Sequence, residues 1–518
     1  MNKSPAVLSR RASGILLHPT SLSGPHGNGD LGPSAHRFLD FLAAAGQSWW
    51  QMLPVGPVGP SYSPYQSPST FAGSLLLISL DDLVRRGWLA DADLAGAGDL
   101  PAGRVDYPRA AAFRENALRR AFERFSADPS GELRDRFDGF GRAARGWLDD
   151  VALFQALKRA HGGVAWWDWE ADLRTRKSSA LAAARRTQAD EIRFRRFVQF
   201  CFAEQWTALR AAAAERGIGL IGDVPIFVAD DSADVWANPD VFHLDDRGRP
   251  SVQAGVPPDI FSKTGQLWGN PLYRWDALRK DGYGWWIERL RGAFARFDAV
   301  RLDHFIGFHR CWEVPGDAKD AIEGRWVPGG RAPFFQAVRK KLGEIQIIAE
   351  DLGIVTPEVT ALREASGFPG MRVLQFAFGD DDGARMYLPH RYPKNCVAYT
   401  GTHDNDTTAG WYRAREADGG LHHERNRIQR YLGGPPRDVP WDFIRLVWAS
   451  PADTVLVPLQ DVLGLGSDAR MNLPGVADGS WGWRFWDGAL TDESARRLRE
   501  LTWLYDRLPG ESSVGRRV

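Results

Sequence analysis

Short apolar segments that alternate with helical patterns constrain the fold of this chain more than any other feature. Each segment is rich in Ile, Val or Leu and ends in polar residues. Such near-continuous apolar runs are typical of strands buried on both faces of a parallel sheet. Amphipathic or Ala/Arg-rich stretches of helical pattern lie between them. The eight predicted strands cover residues 13–17, 48–53, 218–221, 299–302, 345–349, 371–376, 396–399 and 454–457.

Eight strands alternating with helices predict an α/β fold of the (β/α)8 type, the TIM barrel, with a doubly wound sheet as the alternative. The strand spacing is uneven, and a barrel accommodates long insertions in the loops that follow its strands. We expect a mostly helical insertion over residues 68–212 and a loop-rich, lid-like insertion over residues 230–275. The whole chain, 1–518, is expected to form one domain without a separate C-terminal β-domain.

The charge balance and the cysteines restrict the class of protein. The chain has 65 Lys and Arg against 65 Asp and Glu, so it offers no basic footprint for nucleic acid or for an anionic membrane. Cys201, Cys311 and Cys396 lie too far apart for CxxC metal pairs, and their odd number builds no disulfide framework. No apolar run is long enough for a signal peptide or a membrane span. We expect a monomer in the cytoplasm, without a nucleic-acid or membrane partner.

Acidic residues follow four of the predicted strands. Asp223, Asp303 and Asp404 each come just beyond such a strand, and the pair Glu350 and Asp351 follows another. A single Asp at this position is more often the N-cap of a helix. Four strands that end in this way favour a shared site, because the carboxyl ends of barrel strands converge on one pocket.

Clustered carboxylates repel one another, so at least one is expected to have a raised pKa while another stays ionised. This pairing suits the chemistry of glycosidic bonds, in which one acid protonates the leaving oxygen and another attacks the anomeric carbon. Arg301 precedes Asp303 by two residues and shares its face of the strand, so it is placed to keep that carboxylate ionised. The spacing does not distinguish Glu350 from Asp351 as the proton donor. No histidine has metal-ligand spacing, and we expect neither a metal nor a cofactor.

Three segments carry a specific resemblance. RLDHF (301–305), AEDLG (349–353) and THDN (402–405) resemble signatures of 4-α-glucanotransferases of the amylomaltase, or disproportionating enzyme, family, which is related to α-amylases. Four further segments match the same family: SPYQS (63–67), GDVPIF (222–227), GQLWGNP (265–271) and GRWV (324–327). The resemblance extends from about residue 14 to residue 474 and therefore covers nearly all of the chain.

The resemblance implies a retaining double displacement on α-1,4-glucans. By motif match, Asp303 is the nucleophile, Glu350 is the acid/base, and Asp404 binds and distorts the reacting sugar. A retaining mechanism places the two reacting carboxyl groups about 5–5.5 Å apart. The resemblance also implies seven substrate-binding residues. Tyr65 and Trp268 provide stacking surfaces, and His304 and His403 form hydrogen bonds to sugar hydroxyls. Asp223 lies near the nucleophile, Arg301 pairs with the nucleophile, and Asn472 faces the donor sugars.

The implied donors are maltooligosaccharides and glucans derived from starch or glycogen, and the acceptor is another glucan or glucose. An α-glucan hydrolase and a non-catalytic glucan-binding protein remain the alternatives. Two local features bear on binding. The segment 253–259, which ends in Asp259, is expected to overhang the acceptor side. Pro60 stands where family members often have a tyrosine that is associated with a secondary glucan site. Tyr62 lies two residues later, so we do not expect it to replace that tyrosine.

Overall fold

The computed structural model describes residues 7–127, 131–258, 262–476 and 479–510, and within these ranges it contains twelve β-strands and nineteen α-helices. The strands are β1 Ala12–Leu16, β2 Trp49–Gln51, β3 Gly219–Pro225, β4 Val252–Val256, β5 Gln266–Pro271, β6 Ala299–Asp303, β7 Arg310–Pro315, β8 Arg325–Pro328, β9 Ile347–Ala349, β10 Gly370–Val373, β11 Cys396–Tyr399 and β12 Thr454–Pro458. The α-helices are α1 Pro33–Ala44, α2 Leu80–Arg85, α3 Tyr107–Ala127, α4 Gly131–Ala143, α5 Arg145–Ala160, α6 Ala171–Arg174, α7 Ser178–Thr187, α8 Ala189–Arg216, α9 Ala233–Ala237, α10 Trp275–Lys280, α11 Gly284–Arg296, α12 Ile306–His309, α13 Arg331–Leu342, α14 Pro357–Ala365, α15 Thr408–Ala417, α16 His422–Leu432, α17 Val439–Ala449, α18 Leu459–Val462 and α19 Asp492–Leu504.

Eight of the strands form a closed parallel barrel. They follow one another around the barrel in chain order, as β1, β2, β3, β6, β9, β10, β11 and β12, and β12 pairs with β1 to close it. All eight predicted strands are present, and the predicted TIM barrel is confirmed. The doubly wound alternative is wrong because the sheet has no open edge. Most predicted boundaries differ from the observed ones by one or two residues, and the predicted strand 371–376 ends early because Leu374–Phe376 form a 3₁₀ turn.

Large apolar side chains from several strands fill the barrel interior. Trp49, Ile221, Ile348, Met371 and Leu456 belong to one fully buried cluster that is separate from the larger core beneath the helices. Gly14 on β1 lies against the backbone of the neighbouring strand, where an added Cβ would stand 2.4 Å from the carbonyl oxygen of Trp49. The strand can therefore approach β2 only because this position has no side chain.

The segment between β2 and β3 is mostly helical. It holds α2 to α8, and α8 ends at Gly217, whose φ of 74° is the left-handed conformation that glycine adopts readily. Helix α8 packs against α1 and leads directly into β3. The predicted end of the insertion, residue 212, therefore lies inside a helix of the outer layer. The division of the chain into a barrel and inserted units stays a proposal.

A second, antiparallel sheet was not predicted. It has the order β5-β4-β7-β8 and is built from residues 252–256, 266–271, 310–315 and 325–328. Two of its strands lie within the region that the sequence indicated to be loop-rich. This sheet carries Trp268 on its edge strand β5, and in this way it builds one wall beside the carboxyl end of the barrel. No helix in the described ranges is both long and apolar enough to cross a membrane.

Candidate active site

An arginine at the centre of the carboxyl face links two aspartates. Arg301 on β6 is in register with Asp223 on the neighbouring strand β3, and its Nη1 donates to Asp223 Oδ2 at 2.7 Å. Its Nη2 lies 2.9 Å from Oδ1 of Asp303, the last residue of β6. The side chain of Asp303 is 28% exposed, whereas those of Arg301 and Asp223 are almost fully buried. Asp303 is therefore the member of this group that is open to a ligand, and the guanidinium pairs with it.

Glu350 lies beside Asp303 because their strands are neighbours. Leu302 pairs with Ala349, so the residues that follow them, Asp303 and Glu350, stand at the same level of the barrel. Glu350 Oε2 accepts the backbone N–H of His304 at 2.7 Å, and Oε1 accepts that of Leu352 at 3.0 Å. Burial is the main reason why the pKa of Glu350 rises to about 8; the negative charge of Asp303 adds to the rise and Arg301 opposes it. At neutral pH this carboxyl group is a proton donor.

Asp351 has a different environment from its neighbour. Its Oδ1 accepts the backbone N–H of Met371 at 2.7 Å, and its Oδ2 lies 3.2 Å from Nε of Arg363, whose side chain is buried. Arg372 is farther away, at 3.9 Å. Burial raises the pKa of Asp351 although both arginines oppose the shift. The carboxylate is engaged between β9, β10 and α14, so the geometry favours Glu350 as the acid where the sequence left two candidates.

Asp223 is also enclosed. Besides Arg301 it accepts the hydroxyl of Tyr65 at 2.9 Å, while its Oδ1 is buried without a hydrogen-bond partner. Burial raises the pKa of Asp223 to about 7, with Arg301 opposing the rise and Asp303 adding to it. The pKa of the Tyr65 hydroxyl is raised as well, first by burial and then by the charge of Asp223. Asp223 therefore acts on the site through Arg301 and Tyr65.

The loop after β11 carries the third acid. Asp404 Oδ1 accepts from Nδ2 of Asn472 at 2.6 Å and lies 3.3 Å from Nε2 of His403, and its side chain is 44% exposed. The backbone N–H of Asn472 donates to the carbonyl of His403 at 3.1 Å. Arg470 also donates to the carbonyl of Asp404, at 2.6 Å. Burial lowers the pKa of His403, so its imidazole is neutral at pH 7.

Aromatic rings form two walls of the cleft. Tyr65 stacks on His403 with ring centroids 5.3 Å apart, and Trp481 packs against both rings at 5.8 and 6.0 Å. On the other side, the rings of His304 and Trp268 form a T-shaped pair with centroids 4.8 Å apart. Such flat apolar faces with polar edges suit the stacking of sugar rings.

His304 has an unusual backbone conformation. Its φ is 51°, which a side chain other than glycine seldom adopts, and this turn directs its N–H to Glu350. Burial lowers the pKa of the His304 imidazole to about 4, so the ring is neutral beside Asp303 and Glu350. Backbone strain of this kind occurs where surrounding contacts over-determine the backbone, and here it connects the end of β6 to Glu350.

All ten predicted site residues lie in one connected group. His304 contacts Trp268, donates to Glu350 and follows Asp303 in the chain. From Asp303, successive contacts run through Arg301, Asp223, Tyr65, His403, Asp404 and Asn472. Asp259, which the sequence assigned to the acceptor lid, lies outside the described residues. The ring of Tyr62 stacks on Tyr107 at 4.8 Å. In the described parts of the chain, no group of three or more His, Cys, Asp or Glu side chains is placed to hold a metal ion.

Sequence analysis missed Trp481, His18 and Arg470. His18 follows β1 and lies against His403, and burial lowers its pKa to about 3. A polar residue beyond the carboxyl end of a strand is the signal that identified the acids, and it also marks His18. Trp481 has no such signal, because it lies on an irregular segment after β12 with a φ of 66°.

Comparison with known proteins gives consistent matches over almost the entire chain. The family model described as 4-alpha-glucanotransferase matches residues 17–489. A 4-alpha-glucanotransferase from Thermus thermophilus is 49% identical over 506 residues, which are 96% of this chain and 99% of that protein. One from Synechocystis is 46% identical over 505 residues, covering 97% and 99% of the two chains.

Solved structures match in the same way. Amylomaltase from Streptococcus agalactiae, determined in complex with acarbose, superposes with a TM-score of 0.91 at 35% identity, and the match covers 96% of this chain and all of that one. Amylomaltase from Corynebacterium glutamicum superposes with a TM-score of 0.77 at 19% identity, over 96% of this chain and 75% of that one, and supports the fold alone.

Proposed function

The chain belongs to the 4-alpha-glucanotransferase family and is an enzyme with that activity, and we propose that it transfers segments of α-1,4-glucans by a retaining double displacement on Asp303. The observation that carries the mechanism is the pairing of two carboxyl groups with opposite electrostatic environments. Arg301 pairs with Asp303 at 2.9 Å, while burial raises the pKa of the adjacent Glu350 to about 8. A nucleophile and a proton donor are therefore available together at neutral pH.

The first step breaks the glycosidic bond of the donor. Asp303 attacks the anomeric carbon, and Glu350 gives its proton to the glycosidic oxygen, which leaves as the 4-hydroxyl of the released glucan. The products are a glycosyl ester on Asp303 and the ionised Glu350. Formation of the ester removes the negative charge of Asp303. Because that charge contributes to the raised pKa of Glu350, the pKa falls at the moment when a base is needed.

The second step transfers the glycosyl group. The 4-hydroxyl of an acceptor glucan, or of glucose, attacks the anomeric carbon while Glu350 takes its proton, and Asp303 leaves as a carboxylate. Two inversions at the same carbon retain the α-configuration. The mechanism requires the carboxyl groups of Asp303 and Glu350 to be about 5–5.5 Å apart, and this spacing stays a prediction.

The remaining site residues are assigned to binding. Asp404, with its 44% exposed side chain, is proposed to bind hydroxyls of the reacting sugar, fixed by Asn472 and His403. Tyr65 stacks on His403 and is proposed as a wall of the same subsite. Trp268 and His304 are proposed to contact the acceptor. An acceptor sugar that binds between them positions its hydroxyl, an advantage that water does not have, and this accounts for transfer rather than hydrolysis.

Three broader assignments belong to the same proposal. Donors are maltooligosaccharides and glucans derived from starch or glycogen. The chain is a monomer in the cytoplasm, and three cysteines that are all free and buried support the reducing compartment. Residues 68–212 and 230–275 are insertions in a single catalytic barrel, and the second of them contributes Trp268 through β5.

Incubation with maltotriose tests the proposed function. Transfer yields glucose and a ladder of longer maltodextrins, whereas a hydrolase yields only maltose and glucose. A non-catalytic binding protein leaves maltotriose unchanged. Asp303→Asn, which keeps the size of the side chain, is the matched control and is expected to abolish both products. Maltose and glucose without a ladder would overturn the transferase assignment.

A further inference from the structure

A buried carboxylate outside the cleft joins the two ends of the loop that carries Asp404. Asp461 lies on the short helix α18, just beyond β12, and is 1% exposed. Its Oδ2 accepts the hydroxyls of Thr400 and Thr408, each at 2.6 Å, and its Oδ1 accepts the backbone N–H of Thr408 at 2.8 Å. Both threonines are fully buried.

These two threonines delimit the catalytic loop. Thr400 is the first residue after β11, and Thr408 is the first residue of α15. Residues 401–407 between them include His403 and Asp404. A single carboxylate therefore fixes the point where the chain leaves the barrel and the point where the next helix begins. Its carboxyl group also lies at the amino terminus of α15; burial raises its pKa, whereas the hydrogen bonds from Thr400 and Thr408 and the helix dipole favour the ionised form.

We infer that Asp461 is a positioning residue for Asp404, which it serves by holding Thr400 and Thr408 at a fixed separation. The inference rests on the proposed function, in which Asp404 binds the reacting sugar. Asp461 itself contacts no substrate in this assignment. Because it accepts from both ends of the loop, loss of these bonds changes the relative placement of the two ends, and small displacements of catalytic groups are costly to the rate.

Other contacts keep the loop folded without Asp461. Gln375 donates from its side-chain amide to the carbonyl of Asp406 at 2.9 Å, and Ser467 donates to the carboxylate of Asp406 at 2.7 Å. Arg470 holds the carbonyl of Asp404. The effect of removing Asp461 is therefore expected on the geometry of the loop more than on its presence.

A double-mutant cycle with Asp404 tests the inference. Asp461→Asn keeps the size of the side chain but weakens the acceptor, and we expect kcat for maltotriose disproportionation to fall roughly 10- to 100-fold. In an Asp404→Asn background, the same substitution is expected to change the residual rate by no more than about twofold, because the group it positions is already disabled. The slow variants are followed at high enzyme concentration.

Asp234→Asn is the matched control. Asp234 is equally buried and accepts the N–H and hydroxyl of Thr70 at 2.8 and 2.9 Å, but it does not contact the loop of Asp404. Its effect on kcat, whatever its size, is expected to be the same in both backgrounds. Equal losses for Asp461→Asn in both backgrounds would overturn the inference and leave a purely structural role.

Threonine variants cover the case in which Asp461→Asn does not fold. Thr408→Ser retains the hydroxyl and is expected to keep the wild-type rate, whereas Thr408→Val loses it and is expected to show the same coupling to Asp404. Equal rates for the two variants would also contradict the inference. The product ladder of the wild-type enzyme is recorded in parallel. Its absence would contradict the proposed function, whereas a ladder with no coupling contradicts only the role of Asp461.

Discussion

Substitution of two adjacent acids, Glu350→Gln and Asp351→Asn, is expected to separate loss of chemistry from loss of stability. Glu350 is bound by the N–H groups of His304 and Leu352, and in the proposed mechanism it carries the proton needed by the leaving group. Asp351 is paired with Arg363 at 3.2 Å and accepts the backbone N–H of Met371 on β10. The two substitutions are equally conservative in size, so they form a matched pair.

The expected loss for Glu350→Gln follows from its protonation state. With a pKa of about 8, about nine in ten molecules carry the proton at pH 7. A positioned general acid contributes roughly 10²–10⁴ to the rate, and Gln supplies none of it. Turnover of maltotriose is therefore expected to fall by about that factor. A glycosyl fluoride donor needs little protonation of its leaving group, so its first step is expected to remain fast.

The expected loss for Asp351→Asn is thermal. Breaking a buried ion pair costs about 3–5 kcal/mol, because the arginines remain buried with fewer charged partners. An unfolding entropy of about 2.1 cal/mol/K per residue over 518 residues gives about 1.1 kcal/mol/K for the chain. The Tm is therefore expected to fall by about 3–5 °C, with kcat retained below the transition.

Three readouts check this pair of variants: maltotriose turnover, the fluoride burst and the thermal transition. The wild-type pH profile adds a fourth. Glycosylation needs the protonated form of Glu350, so the alkaline limb of kcat/KM is expected to fall as the pH rises through about 8. If Asp351→Asn abolished turnover while Glu350→Gln retained it, the assignment of the acid would be wrong.

Three further substitutions test other contacts. Tyr65→Phe removes the hydroxyl that donates to Asp223 at 2.9 Å, a hydrogen bond worth about 1.5–3 kcal/mol. We therefore expect kcat/KM for maltotriose to fall roughly 10- to 100-fold, and an unchanged value would contradict the role of this contact. Trp268→Ala is expected to raise the hydrolysis-to-transfer ratio measured by product chromatography, and a constant ratio would remove Trp268 from the acceptor site. Gly329→Ala places a Cβ 2.4 Å from the carbonyl oxygens of Gly307 and Phe308. We expect the free energy of unfolding, measured with denaturant, to fall by about 1–3 kcal/mol; an unchanged value would show that this backbone contact relaxes freely.

The barrel was predictable because its strands are buried on both faces. Strands such as β11 and β12 appear in the sequence as uninterrupted apolar runs, and the helices between them require the strands to be parallel. The antiparallel sheet gave no such signal. Its strand β8 is largely exposed, and Gly255 and Gly269 interrupt β4 and β5, so neither length nor alternation marked them.

The site was predictable wherever a functional residue follows a strand directly. Asp303 and Asp404 were identified by position, and the family resemblance supplied their expected roles. Position did not separate Glu350 from Asp351, because the choice depends on how the chain turns after β9 and on the distant Arg363. Trp481 lies on an irregular segment, and only the folded chain brings it to Tyr65.

Trapping the covalent intermediate tests the central claim most directly. The Glu350→Gln variant, incubated with an α-maltosyl fluoride in the absence of an acceptor, is expected to form a glycosyl ester. Deglycosylation is then expected to be slow, because no base assists the second step. Mass spectrometry of the digested protein is expected to locate the added sugar on Asp303. A label on Asp404 or Asp223, or release of a β-configured product without any adduct, would contradict the double displacement on Asp303.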